Sequence, residues 1–151
     1  MKKNMNGVKK GFTLIEVLVV IGIIALLASI AVVAINPARQ FSQANNSQRW
    51  SNVNAILNAV HQYAVDNRGA IPAGISGTAT EICKSTIATT SCTGLVQLTD
   101  ALVPTYVVGM PTDPTGITTN GTGYRIATST GNRIVVTAPS AENGETISVT
   151  R

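Results

Sequence analysis

The sequence predicts an α+β protein in which a long, bent N-terminal helix packs on a small antiparallel β-meander. Three observations lead to this fold class. Residues 17–35 carry no charge, and apolar residues between Val53 and Ala64 recur at spacings of three and four, as on one face of a helix. Three β-rich runs near the C-terminus are separated by turn residues. The 151 residues therefore suffice for an N-terminal anchor and one small domain.

The apolar run is long enough to cross a membrane. Counted from Phe12 to Ile35 it has 24 residues, about 36 Å of helix at ~1.5 Å per residue. The hydrocarbon core of a bilayer is ~30 Å thick, so the segment can span it with some tilt. Two lysines directly precede the run, and the next basic residue is Arg39. By the positive-inside rule, residues 1–11 stay in the cytoplasm and the rest is exported.

One acidic residue, Glu16, lies inside this run. A carboxylate at that depth in lipid costs on the order of 2 kcal/mol or more unless it has a partner. Glu16 either stays hydrated near the interface or makes an assembly contact. If the chain is cut between Gly11 and Phe12, the new α-amine of a neighbouring subunit is a cation at the same depth, and the two charges can pair.

Residues 10–17, Lys-Gly-Phe-Thr-Leu-Ile-Glu-Val, resemble the class III leader and N-terminus of type IV prepilins and of the pseudopilins of type II secretion. The resemblance implies that a prepilin peptidase cuts after Gly11 and methylates Phe12, and that Glu16 is the assembly residue. It also implies a pilin-like fold and a structural filament subunit rather than an enzyme. The implied partners are identical or related pilin subunits, the peptidase/methyltransferase and a membrane assembly platform.

The net charge of +4 belongs to the leader. Four of the eleven basic residues precede the Gly11-Phe12 junction, which leaves seven basic and seven acidic residues after it. The basicity therefore serves targeting, and net charge gives no indication of nucleic-acid binding. No P-loop, dinucleotide fingerprint or zinc signature is present. The single histidine, His61, has no nucleophile fixed by a local motif, and a surface or interface role is expected for it.

Cys83 and Cys92 are the only cysteines. An even number at short separation in an exported chain predicts one disulfide, with two unpaired buried thiols as the alternative. No CxxC motif is present, so the cysteines do not indicate a metal site. We therefore predict no cofactor and no metal.

The helix is expected to continue beyond Pro37, which bends it, and to end near Asn67, with Gly69 in a C-terminal cap. Residues 1–11 are then a cleaved leader, 12–36 the membrane or filament-core helix, 37–69 its amphipathic continuation, and 70–151 a globular head. Within the head we predict a disulfide-closed loop at 70–93 and a short helix at Leu95–Leu102. Three strands are predicted at Tyr124–Thr128, Arg133–Thr137 and Thr146–Thr150.

Two stretches of the head, Leu102–Pro114 and Gly123–Ile126, are similar to major pseudopilins. In those proteins a loop near the C-terminal strands can hold calcium. Here residues 113–130 contain one carboxylate, Asp113, too few for a cage of oxygen ligands. The calcium site is therefore not carried over to this chain.

Two other functions are weighed against the filament subunit. Ser29-Ile30-Ala31 fits cleavage by the general signal peptidase, which releases a secreted or anchored binding module beginning near Val32. An exported enzyme is the third candidate, although no catalytic constellation supports it. The filament subunit has its head outside the cytoplasm, first on the inner membrane and then in an extracellular or periplasmic filament. Pilus and pseudopilus roles stay open at this point.

Overall fold

A computed structural model describes residues 11–84 and 92–151. Residues 1–10 of the predicted leader and residues 85–91 of the predicted disulfide loop lie outside these ranges. The chain divides into two units, Met1–Gln40 and Phe41–Arg151, and each is described by itself. The second is called the globular unit below.

Two consecutive helices form the N-terminal part of the described chain. Helix α1 runs from Leu14 to Ile35 and helix α2 from Pro37 to Asp66. The single predicted helix is thus divided at Asn36, whose backbone is left-handed with φ 48°. The residue before a proline is disfavoured in the α region, and asparagine tolerates the left-handed region better than most residues. Pro37, which was expected to bend one continuous helix, therefore lies at the boundary between two helices.

Within the globular unit, α2 buries one stripe of side chains at helical spacing. Its C-terminal part is apolar, as the sequence predicts, while the two buried residues nearest the N-terminus are polar. Asn46 is 3% exposed and Arg49 is fully buried. In order along the stripe, the buried residues are Asn46, Arg49, Val53, Ile56, Leu57, Ala59 and Val60. Helix α2 ends where Arg68 and Gly69 adopt left-handed backbone conformations, close to the predicted cap.

The head forms one four-stranded antiparallel sheet in the order β1-β2-β3-β4. The strands are Thr80–Cys83, Gly121–Ser129, Arg133–Ala138 and Ile147–Thr150. The last three are the predicted strands, joined by turns with left-handed residues at 131–132 and 143–144. The α+β fold class and the pilin-like arrangement of an apolar helix, a second helix and an antiparallel sheet are confirmed.

Two details of the predicted head are wrong. Residues 80–83 form strand β1 inside the segment predicted to be a loop, and the short helix α3 covers only Thr99–Leu102 rather than beginning at Leu95. Strand β1 forms because residues 80–83 pair antiparallel with β2. The helix is shortened by a backbone pairing between Val96 and β1: the Val96 amide donates to Glu81 O at 2.8 Å, and its carbonyl accepts from Cys83 N at 2.9 Å. A residue paired in this way cannot also take part in a helix.

The apolar core lies between the α2 stripe and one face of the sheet. From α2 it takes the residues after Arg49, and from the sheet it takes alternate residues of β2, β3 and β4, as a sheet with one buried face requires. The sheet residues that contribute most are Tyr124, Ile126, Ile134, Val136 and Ile147, each at most 2% exposed.

Cys83 and Cys92 are joined by a disulfide, with Cα atoms 5.6 Å apart. The bond ties the end of β1 to the segment that leads back to Val96. Both cysteines are buried, so the crosslink belongs to the core of the globular unit.

We expect the Cys83→Ala/Cys92→Ala double variant to lose roughly 2–3 kcal/mol of unfolding free energy, because the crosslink restricts the unfolded chain. Denaturant unfolding of the full chain in detergent measures the loss. Thiol labelling of denatured, unreduced wild type should detect no free cysteine. Labelling at both positions, or an unchanged unfolding midpoint in the variant, contradicts this prediction.

Candidate functional site

The Gly11-Phe12 junction precedes helix α1 and lies outside it. Thr13 is the N-cap, with extended backbone angles, and the first helical residue is Leu14. Gly11 and Phe12 are both exposed, and Phe12 is 88% so. A Cβ atom added at Gly11 meets nothing within 4 Å. The fold of the described chain therefore does not require glycine at this position.

Glu16 is held by the N-cap of its own helix. The Thr13 backbone N–H and the Thr13 hydroxyl both donate to Glu16 Oε2, each at 2.7 Å. In return, Glu16 N donates to Thr13 Oγ1 at 3.3 Å. This is a reciprocal capping box, which satisfies backbone donors that a helix start leaves free. Sequence reasoning missed Thr13, although the Thr-x-x-Glu spacing before an apolar run is the known signature.

The capping box uses only one of the two carboxylate oxygens. Within residues 11–84 and 92–151, Glu16 Oε1 accepts no hydrogen bond. A carboxylate has about four acceptor positions, so Glu16 keeps acceptor capacity for a second donor without losing its cap. The donors in the cap lie at Thr13, downstream of the Gly11-Phe12 junction, and a cut at that junction leaves them in place.

Helix α1 is apolar on all sides and contributes nothing to the core of the described chain. None of its 22 residues is buried. Among the described residues it is the one helix that is long and apolar enough to cross a membrane. Its only side-chain hydroxyl, on Ser29, donates to the carbonyl of Leu26 at 2.7 Å. The helix thus presents no unpaired hydroxyl, which suits an apolar environment.

The N-terminal segment matches a known family model. Residues 7–32 match the model of the prokaryotic N-terminal methylation motif. This motif includes the class III leader of type IV pilins and pseudopilins, to which the segment is similar. Comparison with curated proteins and with solved structures found no match. The motif spans the capping box and most of α1, so the chain is prepilin-like at its N-terminus, and the globular unit is interpreted from its own geometry.

The globular unit of this prepilin-like chain is organised around the buried guanidinium of Arg49. Nε and Nη2 form a two-point contact with Asp113 Oδ2 and Oδ1, at 2.7 and 3.0 Å. Nη1 donates to Asn46 Oδ1 at 2.9 Å and to Glu142 Oε1 at 3.0 Å. Nη2 also donates to Thr115 Oγ1 at 2.5 Å. All five N–H groups of the guanidinium therefore have acceptors.

Asp113 is similarly saturated. Besides its two contacts with Arg49, its Oδ1 accepts from the backbone N–H groups of Thr115 at 2.9 Å and Gly116 at 2.6 Å. The turn packs closely on β2: a Cβ atom at Gly123, where φ is +85°, comes within 2.7 Å of Asp113 Cβ. Asp113 therefore both pairs with Arg49 and binds the backbone of the turn at 113–116.

These contacts shift the pKa of Asp113. Burial raises the pKa, but hydrogen bonds from Arg49 and from the backbone of Thr115 and Gly116 outweigh it and hold the pKa below its ordinary value. The hydrogen bond with Asp113 in turn raises the pKa of Arg49. The carboxylate thus stabilises the folded state above its ordinary pKa, and this contribution is lost as the pH falls through the folded-state pKa.

His61, the histidine expected on a surface or interface, lies half-buried in the wall of a groove of about 720 Å³. Asp66 and Tyr106 line the same groove, and the Tyr106 hydroxyl donates to Asp66 Oδ2 at 2.9 Å. In the part of the chain that the structure describes, His61 Nε2 has no hydrogen-bond partner. Among the described residues, no contact joins any two of the aspartates Asp66, Asp100 and Asp113, so the structure forms no catalytic pair from them.

We expect the unfolding free energy of the full chain to decrease as the pH drops below about 4, because protonation of Asp113 breaks its pair with Arg49. The Asp113→Asn variant should lose on the order of 3 kcal/mol at neutral pH. Its stability should then change less between pH 7 and pH 3 than that of the wild type. Thermal unfolding in detergent across this range measures both effects.

The matched control is Asp100→Asn, at an exposed carboxylate on α3. This variant should follow the wild-type profile. Parallel pH profiles for wild type and Asp113→Asn would show that Asp113 does not carry the acid sensitivity.

Proposed function

We propose that this chain is the structural subunit of a type IV pilus or type II secretion pseudopilus filament, cut by prepilin peptidase and assembled through its N-terminal helix. The observation that carries the proposal is the methylation motif at residues 7–32, which covers most of a capped helix whose residues 17–35 carry no charge. The similarity of residues 102–114 to major pseudopilins favours the pseudopilus within this class. In this proposal, residues 1–11 are a leader, and α1 is first a membrane anchor and then part of the filament core.

Helix α1 suits both of these environments. An exposed helix with 22 residues, none of them buried and nearly all apolar, gains stability wherever water is absent. Lipid provides such an environment before assembly, and the α1 helices of neighbouring subunits provide it afterwards. In this arrangement the globular unit lies outside the cytoplasm, because the lysines of the leader hold the N-terminus inside.

Glu16 supports the assembly step of the proposal. Its Oε2 is occupied by Thr13, and its Oε1 accepts nothing among the described residues. The amine that a cut creates at Phe12 of a neighbouring subunit is the donor proposed for this oxygen. The carboxylate then remains a cap of its own helix and also pairs with a charge from the next one.

The first test concerns processing. Gly11→Leu should leave full-length precursor in the membrane, because the substituted chain folds normally but presents a bulky side chain at the scissile bond. The structure has room for a Cβ atom at Gly11, so a failure to cut is not caused by misfolding. Immunoblotting of membranes and N-terminal sequencing follow the outcome.

The control for processing is Gly22→Ala, in the middle of α1, where a Cβ atom also meets nothing within 4 Å. This variant should be cut normally. The mature wild type should begin at Phe12. A start near Val32 would instead support the secreted binding module, and the filament proposal would then be wrong.

The second test separates the charge of Glu16 from its capping role. Glutamine at N3 can still accept from the N-cap, whereas alanine cannot. We expect Glu16→Ala and Glu16→Gln both to be inserted and cut, yet to give few filaments, because either change leaves the neighbour's Phe12 amine unpaired. Breaking a buried pair from one side costs about 3–5 kcal/mol.

Filament yield is measured by shearing and electron microscopy in a strain without a wild-type copy. Normal yield from Glu16→Gln together with loss in Glu16→Ala would show that the cap, and not the charge, matters. Normal yield from both variants would reject the role of Glu16 while leaving the cleavage result untouched.

A further inference from the structure

The resemblance to major pseudopilins raises the question of whether calcium holds the loops of this head. Calcium takes six to eight oxygen ligands at about 2.3–2.6 Å. A calcium cage therefore needs carboxylates and carbonyls that still have free acceptor positions. Across the described ranges, no group of three or more His, Cys, Asp or Glu side chains is placed to hold a metal ion.

The first of two loops in the head, residues 113–116, has one carboxylate, that of Asp113, and its acceptor positions are already used by hydrogen bonds. A carboxylate has about four acceptor positions, and Asp113 accepts four hydrogen bonds, from Arg49 twice and from the amides of Thr115 and Gly116. Asp113 is also only 2% exposed. A calcium ion can bind Asp113 only by displacing the guanidinium, whose side chain is fully buried beside it.

The second loop, residues 142–145 before β4, binds the same guanidinium through Glu142. Glu142 Oε1 accepts from Arg49 Nη1 and from Asn45 Nδ2, each at 3.0 Å. The Glu142 backbone is fixed as well, because its N–H donates to Asn46 Oδ1 at 3.0 Å and its carbonyl accepts from Asn46 Nδ2 at 2.9 Å. The side chain of Asn46 thus joins Arg49 to the loop, and Asn46 Nδ2 also donates to Glu145 Oε2 at 2.8 Å.

We infer that the guanidinium of Arg49 takes the place of a calcium ion in this head: it is the built-in cation that holds the 113–116 and 142–145 loops against α2. The residues present do not fit a calcium cage, because Asp113 and Glu142 already pair with a cation that belongs to the chain. The third carboxylate of these loops, Glu145, accepts from Asn46 and Trp50. The planar fork of a guanidinium suits two-point binding to a carboxylate, which a lysine ammonium cannot reproduce. The inference does not depend on the filament assignment.

The first experiment titrates calcium into the full wild-type chain in detergent. Thermal unfolding with calcium and with EDTA should give the same Tm, and calorimetry should detect no one-to-one binding. A calcium-dependent rise in Tm with saturable binding overturns the inference. The readout is stability and binding of the protein itself, so it is independent of whether the chain assembles into filaments.

The second experiment removes the built-in cation. Arg49→Ala should lower the Tm by more than about 10 °C, since it leaves the buried Asp113 carboxylate without its charged partner. Free guanidinium at tens of millimolar, where its denaturing action is small, should recover part of this loss. Sodium chloride at equal ionic strength should not. Arg49→Lys should keep the charge but recover little stability, because the ammonium lacks the fork.

The matched control is Arg133→Ala, at an exposed arginine at the start of β3. Its Tm should be close to the wild-type value and indifferent to guanidinium. If Arg49→Ala folds and guanidinium does not raise its Tm above the salt control, the inference is wrong. If Arg49→Ala does not fold, the calcium titration of the wild type and the Tm of Arg49→Lys decide: a Tm of Arg49→Lys equal to the wild type contradicts the inference.

Discussion

A buried guanidinium must find an acceptor for each of its five N–H groups, and in this protein that requirement fixes how the head loops run. Arg49 lies on the α2 stripe, one turn before the apolar residues begin. Its acceptors come from α2 itself, from the turn at 113–116 and from the loop before β4. Because an unpaired buried charge is costly, neither loop can move away without exposing or orphaning the guanidinium. The apolar core sets where α2 meets the sheet, and Arg49 determines the paths of the connecting loops.

Much of this architecture follows from sequence patterns that report local chemistry. The charge-free run, the Val53–Ala64 periodicity and the three C-terminal strands are each decided by residues close in sequence, and all were predictable. Strand β1 and the shortened α3 were not, because β1 depends on pairing with the distant strand β2 and α3 is shortened by the pairing of Val96 with β1. Four residues such as 80–83 carry too little pattern to predict a strand without that partner.

The candidate sites divide in the same way. The roles proposed for Gly11, Phe12 and Glu16 rest on a contiguous motif and stay predictions, while Thr13 was missed although its spacing from Glu16 is visible in the sequence. The network around Arg49 joins residues 64 and 93 positions apart, which no local motif encodes. One signal was available: Asn46 and Arg49 continue the three- and four-residue spacing of the α2 stripe. Polar residues in register with an apolar stripe indicate a buried polar network as well as an exposed face.

The two charged centres differ in how completely they are paired, and the difference matches the roles proposed for them. Arg49 uses every donor within its own chain, so nothing from outside can bind it without first displacing an internal partner. Glu16 uses one oxygen for its cap and keeps the other without a partner among the described residues. A charged group whose hydrogen bonds are all made within the chain stabilises the fold. A charged group in an apolar segment that still has a free acceptor position instead stabilises any assembled state in which a neighbouring donor reaches it. A chain that, as proposed, exists first as a monomer in lipid and then as one subunit among many is served by having one centre of each kind.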